Sequence, residues 1–155
     1  MVLLQMLSVL VLLGGLAEAQ EYRAGRVTVV EPWSRPTPPN AAVAGGFLRI
    51  VNEGAETERL VRISSPIAAT VEMHESAVTD GIGRMQPVKL LEIPPGATID
   101  LGPGGLHLMF VSPNAQLRDG DRFPATLVFD KAGPIEVVFV VRRTKPHDTH
   151  GHATD

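Results

Sequence analysis

The sequence contains no cysteine. Disulfides, thiolate nucleophiles, iron–sulfur clusters and cysteine zinc fingers are excluded, as is the cysteine ligand that a blue-copper centre needs. A lipid anchor attached through a cysteine among these 155 residues is excluded on the same ground. Charge is not in excess on either side: 14 Lys and Arg stand against 17 Asp and Glu, a formal net charge of −3. That excludes the basic footprint of a nucleic-acid-binding protein. An acidic disordered chain is disfavoured as well, because 44% of the residues are hydrophobic. A convincing helical period is also missing. With 15 Gly and 13 Pro, long helices are disfavoured, since both residues are poor in a helix interior.

What is present begins with an apolar run, Met1 to Leu13, interrupted by Gln5 and Ser8. Gly14-Gly15 follows, then Ala17-Glu18-Ala19, which fits the small-x-small cleavage pattern of a secretory signal. Residues 1–19 are expected to be a signal peptide. No Lys or Arg lies before the apolar run, so an uncleaved anchor stays open as the alternative. The run is short for a transmembrane span, and no stable membrane insertion is expected after cleavage. An exported chain without disulfides must be held by a packed core, and the residues that remain are enough for one domain.

Beyond the leader, short apolar stretches alternate with turn residues. Arg26–Val30, Val43–Val51, Leu60–Ile63, Thr70–His74, Arg84–Ile93, Thr98–Leu101, Leu106–Val111, Ala125–Phe129 and Ile135–Val141 read as strands. Gly45-Gly46 suggests a bulge or a close approach. The segment Trp33–Asn40, crowded with proline, reads as a loop. About nine short strands at this spacing predict an all-β sandwich or barrel spanning residues 20–143. Residues 144–155 have no large apolar side chain and are expected to form a flexible tail.

The chemistry-bearing residues outside leader and tail are Met73, His74, Met85, His107 and Met109, confined to short windows. Alternation places Leu106, Leu108 and Phe110 on one face of a strand, the core face, and His107 and Met109 on the other. By the same rule Met73 shares the core face with Val71, while His74 points outward. Two imidazoles and two thioethers on an outward surface have no packing rationale. Thioether sulfur is soft and uncharged; it favours Cu(I) over zinc, calcium or magnesium, and imidazole suits copper too.

His74, ten residues, Met85, twenty-one residues, His107, one residue and Met109 is similar to the copper(I) motif of the periplasmic copper chaperone family PCuAC. Met and His each occur only five times in the chain, so four fixed positions are a specific match. Trp33-Ser34-Arg35, Asn52, Ser64-Ser65-Pro66, Pro103-Gly104-Gly105 and Gly120-Asp121 also resemble the family. The likeness covers roughly Val27 to Val141. It implies a cupredoxin-like β-sandwich, a non-enzymatic Cu(I) chaperone in the periplasm, and a copper-accepting partner in cytochrome oxidase (CuA) or related copper-site assembly. Some members carry a C-terminal copper-binding extension. Here His147, His150 and His152 offer an imidazole set for Cu(II), and incidental histidines in a solvated tail are the plain alternative.

Two other readings stay open on the residues alone. One is a secreted zinc hydrolase built on His74 and His107 with Glu72 or Glu75; it leaves Met85 and Met109 without a role. The other is a metal-free secreted β-sandwich interaction module, which leaves the constellation as coincidence.

Overall fold

A computed structural model describes residues 19–143. Nearly all of the expected leader and all of the tail, with His147, His150 and His152, lie outside the described residues. Among the described residues eleven strands follow one another: β1 (Glu21–Ala24), β2 (Val27–Ser34), β3 (Val43–Asn52), β4 (Glu58–Ser64), β5 (Ala68–Thr79), β6 (Ile82–Val88), β7 (Leu91–Ile93), β8 (Thr98–Leu101), β9 (Leu106–Pro113), β10 (Arg122–Phe129) and β11 (Gly133–Val141). The expected β-sandwich is therefore present, with eleven strands where the sequence suggested about nine. β1 lies in the polar segment after the leader, where only Tyr22 and Ala24 reach the core. Arg84–Ile93 is not one strand but two: β6 pairs with β5, and β7 pairs with β4 at the far end of the sheet.

The order is β6-β5-β9-β3-β2-β11-β10-β4-β7, with β1 beside β2 and β8 beside β3. β2 couples the two halves. Its residues Val27–Val30 pair with β1 and β3, and Trp33-Ser34 pair with β11, the parallel contact. A register shift lies between Val30 and Trp33, where Glu31 has φ 48°. Such a bulge lets one strand change partners by bending.

The core lies between the halves. Phe110 of β9 meets Phe123 of β10 and Phe139 of β11 edge-on, at centroid distances of 5.1 and 5.2 Å, while Phe123 and Phe139 stack at 5.2 Å. Edge-to-face pairs of this kind are favoured by the ring quadrupoles. Gly46 of β3 faces this trio; a Cβ there would lie 2.5 Å from Phe110 Cε2. The glycine is a close approach, as the sequence suggested.

Two buried polar side chains tie connections to the core. Asn52 donates its amide to the carbonyls of Glu56 (2.8 Å) and Ile93 (2.9 Å), and its Oδ1 accepts from Gly54 N (2.9 Å). Glu58 accepts backbone N–H bonds from Arg59, Lys131 and Ala132, each 2.9 Å. Burial pushes the Glu58 carboxyl up, but those three N–H donors and the Lys131 charge outweigh it. The net pKa lies below the usual carboxylate value. A folded-state pKa below the unfolded one contributes stability that is present above the usual value and lost as pH falls through the lowered one. Glu58→Gln is therefore expected to cost about 1–3 kcal/mol at neutral pH, through unmet N–H donors. It should also flatten the loss of stability below about pH 5. Urea unfolding at pH 7 and pH 4 checks this, and an equally steep acid decline in the variant would contradict it.

Candidate metal centre

β9, β5 and β6 lie side by side at one edge of the sheet. Register fixes which side chains share a face, because residues directly opposite point the same way and alternate residues repeat it. His74 of β5 is opposite His107 of β9, and Glu72 is opposite Met109. Ser76, two residues beyond His74, is opposite Met85 of β6. His74, Met85, His107 and Met109 therefore project from one face of three adjacent strands. Met73 projects from the other and is a core residue, 6% exposed.

The two imidazole rings are 6.2 Å apart, centroid to centroid, and inclined at 34°. With metal–nitrogen bonds of about 2.0 Å, one ion can span two rings at that separation. Each ring has one nitrogen already committed. His107 Nδ1 is 2.8 Å from Gly105 O, so Nδ1–H donates and Nε2 keeps its lone pair. His74 Nε2 is 2.8 Å from Glu72 Oε2. A carboxylate only accepts, so Nε2–H donates, and in the neutral ring the lone pair sits on Nδ1. That Nδ1 is buried and has no hydrogen-bond partner. Leaving a buried polar atom unpaired costs about 1–3 kcal/mol, and a metal ligand bond removes that cost.

Exposure differs from the outward surface the sequence suggested. His107 is buried (8%) and the His74 side chain is 15% exposed, whereas Met85 is 52% exposed. Part of the reason is the Gly102–Gly105 turn. Gly104 takes φ 82°, open to glycine without strain. Gly102 N donates to Leu106 O at 2.8 Å, and Ser76 N donates to the Gly105 carbonyl that also holds His107. The turn thus binds β5 to β9 beside the rings. Such burial depends on contacts between distant segments, which strand alternation does not reveal.

Trp33 and Phe47 form a second, smaller apolar cluster, 4.6 Å between ring centroids, outside the main core. Phe47 is on the same face as Gly45, which is opposite Met109. Arg35 lies over the Phe47 ring at 5.8 Å. The sequence marks Trp33-Ser34-Arg35 only through family likeness; its place on the face that carries Met109 follows from the pairing of β2, β3 and β9.

For a zinc centre the arrangement is poor. Glu75 pairs with Leu106 and Gln86, so it points away from His74. Glu72 is engaged with the His74 ring. Among the described residues no group of three or more His, Cys, Asp or Glu is placed to hold a metal ion.

Residues 27–141 match the family model described as "Putative lipoprotein LpqE-like". The chain belongs to the LpqE-like family. A relative named "Putative lipoprotein Lxx21020", from Leifsonia xyli subsp. xyli, is 29% identical over 81% of this chain and 75% of its own. This LpqE-like chain has no cysteine among its 155 residues to carry a lipid. Its fold is that of PCuAC domains. The apo PCuAC domain from PmoF1 superposes with a TM-score of 0.67 at 26% identity, covering 81% of this chain and 100% of that one. The copper-bound PCuAC domain from PmoF2 gives a TM-score of 0.70 at 24% identity, covering 81% and 99%.

Proposed function

We propose that this protein is an exported, non-enzymatic Cu(I) carrier that holds its cargo between His74, Met85, His107 and Met109. The observation that supports it most is the shared face of these four side chains, together with the buried, unpartnered Nδ1 of His74. The donor set fits the ion. Neutral thioethers and imidazoles suit soft Cu(I), and two thioethers give little to zinc. None of the four is a thiol, so the set cannot be lost to disulfide formation in an oxidising compartment, and the periplasm is the proposed location. Family membership and the PCuAC fold support the same reading.

The exposure gradient supports delivery rather than storage. His107 is buried at one end of the set, while Met85 stands 52% exposed on β6 at the sheet edge. A partner's ligand can displace the Met85 thioether first, and the ion then passes by stepwise exchange. The proposed acceptor is a copper-binding protein of cytochrome oxidase (CuA) or related copper-site assembly. Competition with a Cu(I) chelator, set beside a zinc titration, tests the carrier. One Cu(I) per chain with weak zinc is expected; stoichiometric zinc without Cu(I) would overturn it.

The tail is proposed as a separate Cu(II) site formed by His147, His150 and His152, on composition alone. Truncation after Arg143 is expected to abolish Cu(II) uptake and leave Cu(I) affinity intact. Unchanged Cu(II) uptake would assign these histidines no metal role.

A further inference from the structure

We infer that Glu72 is the positioning residue of the copper site. It locks His74 in the Nε2–H form so that His74 binds through Nδ1, while His107 binds through Nε2. The inference rests on the proposed Cu(I) carrier for its metal, but its core concerns the metal-free protein.

The two rings face each other across adjacent strands, yet they are held by opposite nitrogens. His107 is tied through Nδ1 to the Gly105 carbonyl, itself fixed by Ser76 N at 3.1 Å. His74 is tied through Nε2 to the Glu72 carboxylate at 2.8 Å. Glu72 lies two residues before His74 on β5 and opposite Met109, so the pleat sets it on the same face. An imidazole bound to a metal through one nitrogen commonly donates its other N–H to a carboxylate or carbonyl. That bond fixes tautomer and ring orientation and raises the basicity of the ligating nitrogen. Here both acceptor types are present, one for each ring. The nitrogen left over on His74 is buried without a partner, which is unfavourable for a bare protein and suited to a ligand atom.

Glu72 also answers to a competing role. Its carboxylate, half exposed, could be read as a metal ligand. The bond to His74 Nε2 points instead to an action through the ring. A carboxylate bonded directly to the ion would add a hard donor to a site otherwise soft and neutral, against the preference of Cu(I).

The test is nitrogen NMR of the imidazoles in the full chain, metal-free and then loaded with Cu(I), which is diamagnetic. Three proteins are compared: the parent, Glu72→Gln and Glu72→Ala. In the metal-free parent, His74 is expected to show a protonated Nε2 and an unprotonated Nδ1, and His107 the reverse. Glu72→Ala is expected to mix the His74 tautomers and leave His107 unchanged. On loading, the large shift should fall on His74 Nδ1 and His107 Nε2. Cu(I) affinity should drop about 10- to 100-fold in Glu72→Ala and recover in part in Glu72→Gln, whose carbonyl still accepts the N–H. A His74 protonated on Nδ1 in the metal-free parent, copper bound at Nε2, or unchanged affinity in Glu72→Ala would each overturn the inference. Because the tautomer is read without metal, failure of copper binding alone would strike the carrier reading and leave the Glu72–His74 assignment to be judged separately.

Discussion

His107→Ala is expected to lower Cu(I) affinity by more than a hundredfold. Losing even an outer partner of a metal ligand costs about 10- to 100-fold, and His107 is proposed as a ligand itself. It is also the most enclosed member of the set, buried and oriented by the Gly105 carbonyl. The paired control is Met73→Leu. Met73 adjoins His74 in sequence but lies in the core on the opposite face. The swap nearly conserves volume, should cost less than about 1.5 kcal/mol, and should leave Cu(I) affinity within a few-fold. Chelator competition on both folded variants reads the contrast. A folded Met73→Leu protein that loses tenfold or more would mean that the faces of β5 are assigned wrongly.

Gly46→Ala is expected to be the most damaging glycine-to-alanine change among the described residues. The added carbon would sit 2.5 Å from Phe110 Cε2, 3.2 Å from Phe139 Cε1 and 3.3 Å from Leu108 Cβ. Phe110 has little room to retreat, because Phe123 and Phe139 close on it at 5.1 and 5.2 Å. Overpacking of a dense core costs about 1–3 kcal/mol and sometimes more. The strain should also reach the site, because β9 carries Phe110 together with His107 and Met109. Thermal unfolding measures the loss. Gly83→Ala makes a useful contrast, since a Cβ there meets nothing within 4 Å. Equal melting temperatures for Gly46→Ala and the parent would contradict the packing described.

Much of this was legible in the chain because strand chemistry is local. Alternation in Leu106–Phe110 separates Leu108 and Phe110, both fully buried, from His107 and Met109. The same rule separates Met73 from His74. The glycine pair in β3 signals a close approach, which Gly46 makes. What escaped the sequence is what depends on distant pairing. The bulge at Glu31 exists because β2 changes partner from β1 to β11, and nothing in Val27–Ser34 announces that. β6 and β7 read as one strand because their separation lies in which strands they join, not in their composition. The enclosure of His107 comes with a turn that bonds to β5. The Glu72–His74 bond has a visible signal, a carboxylate two residues before a histidine on one strand face. The sequence alone led that carboxylate to be weighed as a zinc ligand rather than as the partner that aims the ring.

X-ray absorption of the Cu(I)-loaded protein tests the central claim most directly, because it counts the atom types around the ion. Two sulfur and two nitrogen scatterers are expected in the parent, one sulfur in Met109→Leu, and two sulfurs still in Met73→Leu. A first shell without sulfur, or a sulfur lost on replacing Met73 rather than Met109, would contradict the account.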